Sequence, residues 1–222
     1  MLVILSAGRS GTNLALELFT GHSNFKVPEY SEDKLLFANR NILYPDNYLC
    51  KSDVTYCPSY IEFNIFMIQN KNCKIIWTVR DVRDWVMSKI YRGYGVSQDS
   101  TVDGCKYSLN KMFSIYKSAI VNFPDRIKVL RMEDILINIE SVCEELCQWL
   151  NIGFEKSMLT PHLRMRHTGK KKRYKTLDTS QIALYKNIET VYDGFFIKNN
   201  IPIIKLWKEL NYINREFNYD TI

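Results

Sequence analysis

The chain has 222 residues, 46% hydrophobic and 24% charged, with 30 Lys and Arg against 24 Asp and Glu for a net charge of +6. That length suits one domain with a sizeable core, the composition excludes a disordered or fibrous chain, and so modest a positive excess fits an anionic ligand without arguing for nucleic acid. No apolar run approaches membrane-spanning length and no leader segment is recognisable, so a cytoplasmic protein with no membrane partner is expected.

Leu2-Val-Ile-Leu5 has strand character and ends in small residues; Arg9-Ser10-Gly11-Thr12 then leads into a helix predicted over Asn13–Phe19, with Gly21 as its C-terminal cap. A strand, a tight glycine turn and a helix N-terminus aim backbone N–H groups and the positive end of a helix dipole at one point. Arg9 adds a permanent cation there, and Ser10 and Thr12 add hydroxyl donors. A Walker A loop needs Gly, four residues, then Gly-Lys-Ser/Thr, whereas Gly11 is followed directly by Thr12 with no lysine. The loop is P-loop-like and reads as an anion site, not as an ATP site.

Further along, a partly helical stretch is expected around Glu32–Asn39, a short strand at Tyr48–Lys51, and a helix opened by Pro58 and running to about Gln69. Cys73–Val79 is the clearest buried strand, followed by Arg80-Asp-Val-Arg-Asp84 and a helix through Tyr91. Arg92–Asp103, with Gly93 and Gly95, reads as a loop. A helix over about Gly104–Asn122, a strand at Ile127–Arg131 and a helix carrying Ile139, Val142, Cys143, Leu146 and Leu150 come next. Met165–Lys175 is a basic loop, Asp178-Thr-Ser-Gln181 reads as a capping box for a helix to about Tyr192, and Pro202 starts a final short helix. The alternation of strands and helices predicts an α/β fold: a single domain over residues 1–222, three layers α/β/α around a central parallel sheet, with ligands at the C-terminal strand ends.

Cys50, Cys57, Cys73, Cys105, Cys143 and Cys147 form no CxxC pair and have no histidine at zinc spacing, so no metal is expected. Cys143 and Cys147, one helical turn apart, read as buried thiols.

Val79-Arg80-Asp81-Val82-Arg83-Asp84-Trp85-Val86-Met87-Ser88 is a second strand-to-helix junction, where a guanidinium can fork onto phosphate oxygens and Ser88 falls two turns into the helix. Taken with residues 6–14, it resembles the sulfotransferase family that uses 3′-phosphoadenosine 5′-phosphosulfate (PAPS). Arg9-Ser10-Gly11-Thr12-Asn13-Leu14 matches that family's first motif, and Val79–Ser88 its second, with Val82 in place of proline. Val129–Ile135 and Leu150–Gly153 match a looser third.

The resemblance implies PAPS as donor and 3′-phosphoadenosine 5′-phosphate (PAP) as product, with no metal. Arg9, Ser10, Gly11, Thr12 and Asn13 would hold the 5′-phosphosulfate. Arg80 and Ser88 would bind the 3′-phosphate, helped by the late basic segment Lys170, Lys171, Lys172 and Arg173. Met132 stands where relatives often carry a tyrosine near the adenine. Lys51, in a Lys-Ser segment with Asp53 in the usual proline's place, would join Arg9 in stabilising charge on the leaving oxygen. Glu29, in a segment laid out like the family's Leu-x-x-His-Pro…Glu with Ser23 for proline, would be the general base. Tyr30, Tyr44, Tyr91 and Tyr94 would border the acceptor, a small molecule, carbohydrate or peptide; no nucleic-acid partner is expected. Two other readings stay open on the residues alone: a P-loop small-molecule or nucleotide kinase, and a PAP- or RNA-binding module without turnover.

Overall fold

The computed structural model describes residues 1–28, 32–38, 44–163, 166–167, 170–171 and 179–221. Its centre is a four-stranded, wholly parallel sheet: β1 (Leu2–Ser6), β2 (Leu49–Asp53), β3 (Lys74–Val79) and β4 (Ile127–Arg131), in spatial order β2-β1-β3-β4. β1 is central, with Ile4 opposite Lys51 on one side and Ile76 on the other. Because side chains alternate along a strand, Leu2 and Ile4 enter one apolar layer while Val3 and Leu5 enter the other.

The first layer is covered by α1 (Thr12–Thr20), α5 (Met132–Ile137) and α6 (Ile139–Leu150), which bury Leu14, Leu18, Phe19, Ile135, Cys143 and Leu146. The second is covered by α2 (Tyr60–Gln69), α3 (Val82–Gly93), α4 (Val102–Asn122) and α8 (Ile203–Glu216), around Trp77, Trp85, Phe63 and Trp207. A four-residue α7 (Phe195–Lys198) precedes α8. The expected three-layer parallel architecture is therefore present. No helix among the described residues is long and apolar enough to cross a membrane.

Several local expectations shift. α2 is capped by Ser59, whose hydroxyl accepts the Ile61 N–H at 3.1 Å and pairs with Glu62, so Pro58 lies just outside the helix instead of opening it. The described residues 34–38 form a turn, not a helix. The loop after α3 begins only at Tyr94, and α4 already starts at Val102, capped by Thr101. Gly93 is required at that bend, since an added Cβ would sit 1.9 Å from Ser100 Oγ.

The continuous helix expected to reach Tyr192 is replaced by 3₁₀ turns at Thr179–Gln181, Leu184–Asn187 and Val191–Gly194, interrupted by positive φ at Ala183, Tyr192 and Asp193. Tyr185, Ile188, Val191 and Tyr192 all turn onto the second core layer, on a path broken by the left-handed residues Ala183, Tyr192 and Asp193. The final helix, α8, spans 14 residues and is not short.

Candidate active site

Strand order reverses direction at β1: the chain leaves β1 for β2 on one side and reaches β3 on the other. The crevice beyond the C-terminal ends of β1 and β3 is the topological switch point, where open α/β sheets bind ligands. Both candidate anion loops end there.

In the first, Arg9 and Gly11 adopt left-handed φ of 80° and 83°. For Gly11 the conformation is required twice over, because a Cβ would lie 2.6 Å from Met132 Cγ. Ser10 donates its hydroxyl to Ala7 O at 2.8 Å, and the Gly8 N–H donates to Asp53 Oδ2 at 2.8 Å, closing the loop on itself and on β2. Gly11 occupies the cap position of α1 and offers no capping side chain, and no acidic residue sits in the first turn. The amides around Thr12 and Asn13 thus keep their helix-dipole field aimed at the crevice.

The second turn is built differently. Asp81 caps α3 by accepting the Arg83 N–H at 2.9 Å, and its carboxylate is gripped by the Arg83 guanidinium. Amides at the start of α3 are occupied by protein, so its contribution to an anion comes from side chains: Arg80, 6% exposed at the end of β3, and Ser88, fully buried two turns into α3.

The two turns meet. Arg9 Nε donates to Ser88 Oγ at 3.3 Å. Burial, then the charges of Arg92 and Arg80, pull the Arg9 guanidinium below its ordinary value. Burial pushes the Tyr192 phenol up, against the opposing pull of Arg80, Arg92 and Arg9. Three arginines and one phenol therefore share a field at the mouth of the crevice. Behind them Asp84 is fully buried, accepts the Tyr185 N–H at 2.9 Å, and is raised to about 6 by burial, against the pull of that N–H and of Arg80.

Lys51 lies on β2, two residues before Asp53, and is salt-bridged to Glu32 Oε2 at 3.1 Å; the Tyr56 hydroxyl donates to the other Glu32 oxygen at 3.3 Å. Lys170 and Lys171 form one strand of a two-residue antiparallel hairpin, opposite His167 and Arg166. Glu29, Tyr30, Lys172 and Arg173 lie outside the described residues.

Among the acceptor-side tyrosines, Tyr44 donates to Asp33 at 3.0 Å and packs against the core. Tyr91 is stacked on Tyr192 at 4.0 Å, and Tyr94 meets Phe195 edge-on at 5.0 Å. His22 is structural, with Nδ1 accepting the Asn24 N–H and Nε2 within 2.7 Å of Gly153 O. All six cysteines are buried and free, and burial pushes Cys57 and Cys73 up to about 12.

Four residues at this site escape sequence reading: Arg92, Tyr192, Asp53 and Glu32. Arg92 alone carried a signal, since it follows Ser88 by four residues on one helix face. The others arrive through register and tertiary packing. Asp53 reaches Gly8 because Ser6 and Asp53 pair at the ends of parallel strands.

No curated protein matches the chain by sequence. Among solved structures, the sulfotransferase domain from the curacin biosynthetic pathway is similar over 100% of this chain and 98% of its own, with a TM-score of 0.66 at 18% identity. The sulfotransferase domain of the Synechococcus PCC 7002 olefin synthase gives 0.65 at 16% identity, over 100% of this chain and 95% of that one. A mouse sulfotransferase, SULT7A1, solved as a complex with PAP, gives 0.53 at 14% identity over 94% and 83%. These likenesses show the fold. The model of the sulfotransferase domain matches residues 1–199, nearly the whole chain, and the chain therefore belongs to the sulfotransferase domain family.

Proposed function

We propose that the chain transfers a sulfuryl group from PAPS to a hydroxyl or amine acceptor and releases PAP. The observation that carries this reading is the 3.3 Å hydrogen bond from Arg9 to Ser88, which joins two strand-to-helix turns into one crevice with two anion subsites. PAPS has anionic groups on both sides of its ribose, and the donors fit that pattern: backbone amides and Arg9 at one turn, Arg80 and Ser88 at the other. Gly11 caps α1 with no side-chain hydrogen bond to its first-turn amides, which suits close approach of a phosphate to the backbone there. The mouse relative solved with PAP supports the same ligand class.

PAPS, when bound, supplies an activated sulfuryl group. Arg9, Ser10, Gly11, Thr12 and Asn13 hold the 5′ end; Arg80 and Ser88, with Lys171, Lys172 and Arg173, hold the 3′-phosphate. Arg9 and Lys51 provide fixed positive charge for the leaving oxygen, a task of positioning and electrostatics like that in phosphoryl transfer. Glu32 restrains the Lys51 ammonium. Glu29 takes the acceptor's proton. The acceptor is a small molecule, a carbohydrate or a peptide hydroxyl.

Calorimetry with PAP tests the subsites. Arg9→Ala and Arg80→Ala should each weaken binding by about 10- to 100-fold, the range expected for losing a charge-assisted hydrogen bond to phosphate. Unchanged affinity in both refutes the reading. In a labelled-sulfate transfer screen across the three acceptor classes, Glu29→Gln should keep PAP binding and lose about 100-fold or more in turnover.

A further inference from the structure

We propose that Asn214 and Tyr219, contributed by α8 and the turn after it, are positioning residues for Arg80 and thereby set the recognition of the 3′-phosphate. The proposal rests on the assignment of Arg80 to that phosphate. α8 starts at Ile203, beyond the segment matched by the family model, and the sequence assigned it no part in the site.

The geometry is specific to the two peptide units that follow Arg80. The first presents the Asp81 N–H, which donates to Glu133 Oε1 at 3.2 Å; the second Glu133 oxygen accepts the Tyr219 hydroxyl at 2.6 Å. The next presents the Val82 N–H, which donates to Asn214 Oδ1 at 2.9 Å, while Asn214 Nδ2 donates to Asp81 Oδ1 at 3.2 Å. Each of these two peptide planes is thus pinned by a side chain from a distant element. Asn214 is 1% exposed, Glu133 5%, Asp81 6% and Tyr219 8%.

No other orientation of the Asn214 amide serves both partners, since a backbone N–H only donates and an ionised carboxylate only accepts. Arg131 stacks on the Tyr219 ring at 4.2 Å, holding the tail against β4. The apolar stripe Ile203, Leu206, Trp207, Leu210 and Ile213 anchors α8 on the second core layer. A rigid helix therefore fixes the backbone from which the Arg80 guanidinium projects. Bidentate recognition of phosphate is sensitive to displacements of about 1 Å.

The test compares PAP with adenosine 5′-monophosphate, which lacks the 3′-phosphate, by calorimetry on proteins whose folding is checked by thermal melts. Asn214→Ala should weaken PAP about 10-fold and Tyr219→Phe about 3- to 10-fold, with the monophosphate changed by less than about 2-fold. Tyr219→Phe keeps the ring and removes only the hydroxyl, so it serves if Asn214→Ala does not fold. Arg80→Ala is the control and should cut the preference for PAP by about 10- to 100-fold. If the preference is unchanged in Arg80→Ala, the assignment of Arg80 falls and the proposal falls with it. If Arg80→Ala cuts the preference while folded Asn214→Ala or Tyr219→Phe retains it, or loses affinity for both nucleotides equally, the positioning role alone is overturned.

Discussion

Arg9 combines three unfavourable conditions: a left-handed backbone, partial burial, and two like charges nearby. A non-glycine residue in that conformation costs about 1–2 kcal/mol, and a buried guanidinium beside other arginines costs more. Such a residue persists where the surrounding structure over-determines it, here in part through the bond from Arg9 Nε to Ser88 Oγ. Asp84 is the counterpart on the protein's own side of the crevice. Its carboxyl is raised from 3.8 to about 6, so between those values the folded state holds a proton that the unfolded chain has released. Stability must therefore fall as pH rises through that window, by roughly 2–3 kcal/mol in total for this one group. Asp84→Asn can still accept the Tyr185 N–H and carries no charge. Urea melts from pH 4 to 7 should show the gap between variant and parent widening in the variant's favour as pH rises to about 6, then levelling. A constant gap would contradict the burial of a titrating Asp84. The placement of Arg9, Arg80 and Ser88 was legible in the sequence because it is written in local spacing, a strand end followed by a helix start. Asp84 was visible only as part of a motif. Its raised proton affinity comes from burial in the folded molecule, which outweighs the opposing pull of the Tyr185 N–H, 101 positions later in the chain.

At the scale of elements, legibility followed the source of each element's stability. β1, β3, β4 and α6 draw theirs from their own periodicity and were found within a few residues. The segment from Thr179 to Gly194 carried an apparent helix start, yet Tyr192, Asp193 and Gly194 take consecutive left-handed conformations at φ 53°, 56° and 70°. Local propensity does not select that geometry; the contacts of Tyr192 do. It stacks on Tyr91 at an interplanar angle of 10° and packs on Phe196 at 6.2 Å. Tyr192→Ala should cost about 2–4 kcal/mol in denaturant melts, as expected for truncating a large partly buried aromatic. In a double-mutant cycle with Tyr91→Ala, the coupling should be about 1 kcal/mol, the share owed to the stack itself. Additive losses would show that the two rings are held independently. The same contact borders the arginine cluster, because Tyr91 lies three residues beyond Ser88 on α3 and Tyr192 shares the field of Arg9, Arg80 and Arg92.

The whole molecule explains why the crevice lies where it does. Strand order β2-β1-β3-β4 puts α1 on one face of the sheet and α3 on the other, so the two anion turns belong to different apolar layers. That order is not written in any strand. β1 and β3 read as buried, and nothing local shows which of them has β2 as its neighbour. A ligand held at both turns joins the two layers across the end of the sheet, and neither layer can open without releasing it. Binding to the folded state alone at 100 times Kd adds about 2.7 kcal/mol, which for a chain of this size raises Tm by roughly 5–10 °C. Circular dichroism and tryptophan fluorescence should report the same PAP-induced shift, since Trp77, Trp85 and Trp207 lie in one layer and Trp149 packs against the other. ATP with Mg²⁺, lacking a 3′-phosphate, can engage only the first turn and should shift Tm far less at equal concentration. A shift confined to one probe would mean that the molecule does not melt as one cooperative unit. Equal shifts with ATP and PAP would mean that the second turn makes no contact, and the two motifs would then share a fold without sharing a ligand.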